Sequence, residues 1–297
     1  MSASSRAGRL AAAVLCAVLA GAVAAAEHGP ALPHGYVLRE SFAVPELGDS
    51  SRGVRVYLPP SYDAPGIARD YPVVFLLHGW PGSAGNWFEK GRVPATADSL
   101  IASGQIPEVI VVSPDGNGTG MLGRSLWIDS YDGRRRFETW LAHGLVAWVD
   151  AHFRTKREAS ARAIIGLSDG ALGAFNTVLR HPDVFSAAGG HSGDYRPKKG
   201  FGTGAIFGPN PEAHAMERTN TPVDYLDSVT ETAKQQRFYI DCGTEDGDAI
   251  GGTRALHAKL TELGIEHEYH EFAGSHSWAY WRTHVRESLI WVTAGMR

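Results

Sequence analysis

With 297 residues, 43% hydrophobic and 20% charged, the chain has the composition of a globular protein long enough to bury one large core. Its 28 Lys and Arg against 32 Asp and Glu give a net charge of −4, which excludes the basic face that nucleic acid or an anionic membrane would demand. Two cysteines exclude a disulfide framework.

Arg6 and Arg9 precede an apolar run from Leu10 to Ala26 made mostly of alanine, valine and leucine, and Glu27 ends it. This is the pattern of a secretory signal peptide, with small residues for cleavage at Ala22-Val23-Ala24 or Ala24-Ala25-Ala26. A membrane anchor takes about 20 strongly apolar residues, and this run is shorter and rich in alanine. The bulky Leu15 before Cys16 also departs from a lipid-anchor signal. The expectation is a secreted or periplasmic protein in which residues 1–26 are removed and residues 27–297 form a single α/β domain. Cys242 then stands alone, on a core strand where it reads as a buried apolar residue rather than a reactive thiol. No stable membrane insertion is expected of the remainder.

Tyr36 to Val44 and Gly53 to Leu58 alternate as strands, with a turn at 48–53, and read as an antiparallel opening pair. Tyr71 to Gly79 is a continuous apolar run ending in His78-Gly79, as expected of a strand buried on both faces. Glu108 to Ser113 and Arg162 to Leu167 repeat that pattern, while Thr96 to Ser103 and Phe137 to Phe153 carry helical periodicity. Strands alternating with helices predict a mostly parallel sheet with helices on both faces.

The loop Asp115-Gly116-Asn117-Gly118-Thr119-Gly120 starts like a calcium loop, but the twelfth position is Leu126 where a bidentate Glu is required. It reads instead as a flexible rim. Trp127, Asp129, Tyr131 and Asp132 continue the rim, and Asp115 and Trp127 are the candidate contacts for a sugar or aryl ligand, Trp127 having a structural role as its alternative.

Ile164-Ile165-Gly166-Leu167-Ser168-Asp169-Gly170 runs an apolar strand into GxSxG followed by a helical pattern. Glycines two positions either side of Ser168 permit a sharp strand-to-helix turn that exposes the serine hydroxyl. The backbone N–H of Asp169 would then face an oxyanion formed there, and Trp80, in the loop after the first buried strand, is the candidate for a second donor. On its own, His78 to Ser83 reads sooner as an ordinary βα loop.

Ala171 to Arg180 continues as a helix and stops before Pro182, and Phe185 to Gly190 is a further strand. Residues 194–221 lack periodicity and read as an insertion over the site. Arg237 to Gly243 is a late strand followed by Glu245, Asp246 and Asp248, of which Asp246 is the chosen acid partner and the other two are alternatives. Glu266 to Phe272 alternates as the last strand. It places His267 and His270 on opposite faces, which argues against a shared metal, and no other group has metal-ligand spacing. His276 lies on a loop before the helix Trp278 to Thr293, where an imidazole can reach back to Ser168.

These segments together resemble the esterase family of the α/β-hydrolase fold that includes feruloyl esterases, S-formylglutathione hydrolases and the antigen 85 mycolyltransferases. The matching stretches are Phe75 to Ser83, Val111 to Gly116, Arg162 to Ser168, His181 to Phe185, Cys242 to Asp246 and Gly274 to Trp278, in family order. The resemblance implies a serine carboxylesterase with Ser168, Asp246 and His276 as its triad, Trp80 and Asp169 as backbone oxyanion donors, a small-molecule or carbohydrate-linked ester as substrate, and no metal or organic cofactor. It also allows an acyltransferase in which a sugar hydroxyl replaces water, and a binding protein that has lost the chemistry is a third reading.

One position departs from the family. Asp169 stands where the family usually has methionine, and its carboxylate would lie beside a centre that develops negative charge. Two outcomes are open: the carboxylate is turned away or neutralised by a partner, or the pocket prefers a polar or cationic substrate. The second is the expectation taken from the sequence.

Overall fold

The computed structural model describes residues 33–118 and 122–296, so the expected signal segment 1–26 lies outside the described residues. Among the described residues the strands β1 (Tyr36–Val44), β2 (Asp49–Leu58), β3 (Val73–Leu77), β4 (Ile110–Pro114), β5 (Arg162–Leu167), β6 (Ala187–His191), β7 (Arg237–Gly243) and β8 (His267–Phe272) form one sheet. Its order is β1-β2-β4-β3-β5-β6-β7-β8. β1 pairs antiparallel with β2 and β2 antiparallel with β4, and every later pairing is parallel.

The expected mostly parallel α/β sheet is therefore present, opened by an antiparallel pair. The turn of that pair lies earlier than 48–53: a 3-10 turn at Pro45–Leu47 is closed by Gly48 at φ 70°, so β2 already begins at Asp49. Glycine takes this left-handed conformation without a Cβ penalty, which fixes the reversal one step before the Asp/Ser cluster.

The helices are α1 (Asn86–Glu89), α2 (Val93–Ala102), α3 (Phe137–Thr139), α4 (Val146–His152), α5 (Asp169–Arg180), α6 (Gly204–Phe207), α7 (Glu212–Thr219), α8 (Pro222–Ala233), α9 (Ile250–Glu262) and α10 (Trp278–Thr293). A π-helical stretch, Trp140–Leu145, joins α3 to α4, so the periodic segment 137–153 is one helical unit with a widened turn. The insertion 194–221 is not wholly irregular, since α6 and α7 lie within it.

Alternate side chains of the central strands feed two cores. Val73, Phe75 and Leu77 of β3 and Ile164 of β5 join the larger one, with α5 and α8. Val74 and Leu76 of β3, with Ala163, Ile165 and Leu167 of β5, join the other, beneath α2 and α10. The period of two that sends side chains to opposite faces thus explains why these strands are apolar at every position. Each fully buried Val, Leu or Ile contributes about 1.5–3 kcal/mol.

The strand order reverses at β3, with β4 on one side and β5 on the other. In an open α/β sheet such a switch leaves a crevice outside the carboxyl ends of the strands, and here it is bordered by the loops after β3 and β5.

Candidate active site

Ser168 sits between β5 and α5 with φ 54° and ψ −122°, a conformation that costs free energy for any residue with a Cβ. The local sequence accommodates it. A Cβ on Gly166 would stand 2.0 Å from the carbonyl oxygen of Gly170, and one on Gly170 would stand 2.3 Å from that of Leu77. Only glycine at both positions lets strand, turn and helix close up at this distance. The Ser168 N–H donates to the carbonyl of His191 (2.9 Å), tying the turn to the end of β6.

His276 Nε2 lies 3.0 Å from Ser168 Oγ, and His276 Nδ1 lies 2.8 Å from Asp246 Oδ2. The three residues come from the carboxyl ends of β5, β7 and β8. The Asp246 side chain is sealed from solvent, whereas that of His276 is 35% exposed. Asp246 Oδ1 also accepts from the Ala249 N–H (3.2 Å), so both oxygens of the buried carboxylate have donors. Glu245 and Asp248, the alternatives left open by spacing, are exposed, and Asp248 lies at the wall of the cleft. The indole of Trp281 packs edge-on to His276, with ring centroids 4.9 Å apart.

Asp169 is the first residue of α5 and Trp80 follows β3 through His78-Gly79. Neither backbone N–H meets a protein acceptor among the described residues. The Gly79 loop closely approaches the serine, since a Cβ on Gly79 would lie 2.8 Å from Ser168 Cβ.

This loop is held by contacts that motif reading missed. Trp87 Nε1 donates to the carbonyl of Leu77 (3.0 Å) and Trp127 Nε1 to that of His78 (2.9 Å). Buried His78 donates from Nδ1 to the Gly79 carbonyl and accepts at Nε2 from the Gly116 N–H (3.0 Å). Burial lowers the pKa of His78, which favours the neutral ring that this pairing requires.

Two expected ligand contacts lie elsewhere. Trp127 is 1% exposed and packs under α5 against Gly173, so it belongs to the support of the loop rather than to a substrate-facing rim. Its indole fills space that a small-residue helix leaves open. Asp115 accepts from the N–H and Nδ2 of Asn117 and lies 3.7 Å from Arg52; it does not line the cleft that holds Ser168.

That cleft measures about 330 Å³, with Leu126, Leu172 and Tyr195 among its walls beside Ser168, Asp169 and His276. Asp169 does not stand there alone. Arg124 donates from Nε to Asp169 Oδ2 (3.0 Å) and from Nη2 to Oδ1 (2.5 Å), a two-pronged pair that neutralises the carboxylate. The same guanidinium lies over the Trp80 ring at 5.2 Å. The Asp169 carboxylate thus has a neutralising partner, one of the two outcomes open for it.

A family model described as "Putative esterase" matches residues 46–292. The Mycobacterium tuberculosis protein "Esterase Rv1288" is 29% identical over 251 residues, covering 75% of this chain and 52% of the relative, so the chain spans about half the length of that protein. A solved ferulic acid esterase superposes with a TM-score of 0.78 at 24% identity, covering 88% of this chain and 99% of that one. FphF, a fluorophosphonate-binding serine hydrolase of Staphylococcus aureus, superposes at 0.73 and 18% identity, covering 88% and 99%.

Proposed function

The chain belongs to the esterase family of α/β-hydrolases, and from that premise we propose that it is a serine carboxylesterase whose reacting groups are Ser168, His276 and Asp246. The observation that carries the reading is the continuous hydrogen-bonded path from Ser168 Oγ through His276 to buried Asp246, mounted on a strained turn at the switch point of the sheet.

In this reading His276 Nε2 takes the proton of Ser168 as Oγ attacks the ester carbonyl. Asp246 holds the ring with Nδ1–H inward and stabilises the imidazolium. The N–H groups of Trp80 and Asp169 receive the oxyanion, and the positive end of α5 adds to that field. His276 then gives its proton to the leaving alcohol. Water, deprotonated by His276, attacks the acyl-enzyme, the bond from the acyl carbon to Ser168 Oγ breaks as His276 returns the proton to Oγ, and the acid leaves. These steps call on no metal or organic cofactor.

The cleft of about 330 Å³ has room for a small or aryl acyl group, and the ferulic acid esterase among the structural neighbours supports an aromatic acyl group. The basic, alanine-rich segment 1–26 supports export, with residues 27–297 acting as one domain. Among the described residues no helix is long and apolar enough to cross a membrane.

The test is hydrolysis of methyl ferulate and of p-nitrophenyl esters of graded length by the parent and by Ser168→Ala, with fluorophosphonate labelling of both. Turnover and labelling in the parent, lower by about six orders of magnitude in the variant, are expected. Equal turnover in the two proteins would sink the assignment.

A further inference from the structure

A second Ser, His and Asp constellation lies sealed beneath the first. His191, the last residue of β6, and Asp241, on β7, are both 0% exposed. His191 Nδ1 lies 2.9 and 2.8 Å from the two Asp241 oxygens, and Nε2 lies 2.9 Å from Ser288 Oγ on α10. Tyr239 donates its hydroxyl to Asp241 Oδ2 (2.9 Å) and Tyr280 to Oδ1 (3.2 Å). Without solvent or a cleft these groups perform no chemistry on a substrate. A buried carboxylate is nevertheless expensive, and the fold has supplied it with three donors.

The connections of this cluster run to all three members of the site above it. The His191 carbonyl accepts the Ser168 N–H, which fixes the end of the strained turn. Asp241 lies two residues before Gly243, where β7 ends and the Asp246 loop begins, and its carbonyl accepts the Ser192 N–H (2.9 Å). Tyr280 and Trp281 lie in the first turn of α10, directly after the His276 loop. Trp281 Nε1 donates to Ser192 Oγ (3.0 Å) while its ring packs against His276. One buried polar hub thus holds the ends of β5, β6 and β7 and the first turn of α10.

We propose that His191, braced between Asp241 and Ser288, is a positioning residue that sets the Ser168–His276–Asp246 geometry from below the sheet. The proposal rests on the esterase reading given above. Its physical basis is that the loop-borne imidazole, 35% exposed, is held within reach of the serine by Asp246 and Trp281, the first on the loop after β7 and the second bonded to Ser192, both elements that the hub anchors. A misplacement of about 1 Å at a reacting group can cost on the order of a hundredfold in rate.

The experiment compares His191→Ala, His191→Asn and Tyr280→Phe with the parent, each normalised to the serine titrated by a fluorophosphonate. Asn keeps a donor at the position of Nδ1 and so keeps the bond to Asp241. The expected result for His191→Ala is a kcat per titrated serine lowered by roughly ten- to a hundredfold with KM within twofold, and slower phosphonylation of Ser168. His191→Asn should recover most of the loss, and Tyr280→Phe, a milder change that keeps the ring in place, should lose several-fold in kcat.

A Tm that falls while kcat per titrated serine stays within twofold of the parent would reduce His191 to a structural role and overturn the proposal. If His191→Ala does not fold, Tyr280→Phe decides alone: an unchanged kcat overturns the proposal and a several-fold loss upholds it. A parent that neither turns over esters nor labels would instead overturn the esterase reading, which keeps the two failures apart.

Discussion

Arg124 changes what Asp169 means. In the proposed reaction an acid beside the developing oxyanion would oppose catalysis unless a cation compensated it, and the two-pronged bond from Arg124 supplies that charge at the wall of the cleft. Arg124→Met should therefore lower kcat/KM for p-nitrophenyl butyrate by roughly tenfold to a hundredfold, the scale of about 1.4–3 kcal/mol. The double variant Arg124→Met with Asp169→Met removes both charges, so it should recover most of the rate and shift preference towards longer acyl chains. Identical kinetics in the single and double variants would show that the pair is irrelevant to the reaction. Ser168 and His276 could be picked out as candidates because each sits in a short stretch at a strand end, whereas Asp246 shared its turn with Glu245 and Asp248 and only burial sets it apart from them. Arg124 was not legible, because it lies in an irregular loop with no periodic pattern of its own and its partner, the first residue of α5, is 45 positions away. Trp127 misled for a related reason: an aromatic in a polar loop looks solvent-facing until the helix above it is known to present Gly173.

At the scale of elements, the strand-to-helix turn is the least tolerant part of the molecule. Gly170→Ala would drive a methyl group against the backbone of β3, with the Leu77 carbonyl oxygen at 2.3 Å. A loss of about 3 kcal/mol or more in urea unfolding is expected, together with loss of activity. Gly251→Ala is the matched control: it lies in α9 with nothing within 4 Å of the new Cβ, and should stabilise by about 0.5–1 kcal/mol. Similar effects of both substitutions would contradict the close-packed account of the turn. The bounds of β5, β7 and α10 match the sequence reading residue for residue, since continuous apolar strands and a long final helix carry strong patterns. α7 and α9 were not visible in that way. The buried face of α9 is Gly252, Thr253, Leu256 and Leu260, half of it small or polar, and α7 buries only Ala213, so neither shows an apolar stripe.

For the whole molecule, pH enters through histidines that the fold keeps neutral. Burial lowers the pKa of His78, His257 and His284 from the ordinary 6.5. The unfolded chain then binds more protons than the native one just below pH 6.5, so their contribution to stability is complete above that value and is lost as pH falls towards the native values. Glu271 does not share this window, because Arg254 and Tyr269 hold its pKa at about 2. The urea midpoint should fall between pH 7.5 and pH 5.5, and a flat midpoint over that range would refute the account. The class of the sheet could be read from alternating strands and helices, but the order β4-β3-β5 that creates the crevice depends on pairings between strands tens of residues apart, which no local pattern encodes. Among the described residues the same order leaves β1 and β8 as the margins of the sheet, each with one row of backbone N–H and C=O groups that no other strand pairs. Arg39 and Glu40 sit in one margin and Glu268 and Glu271 in the other, the latter two engaged with His270 and Arg254. A second chain that extended the sheet would have to lay its own side chains beside those charges, and charged residues on a sheet margin disfavour edge-to-edge growth.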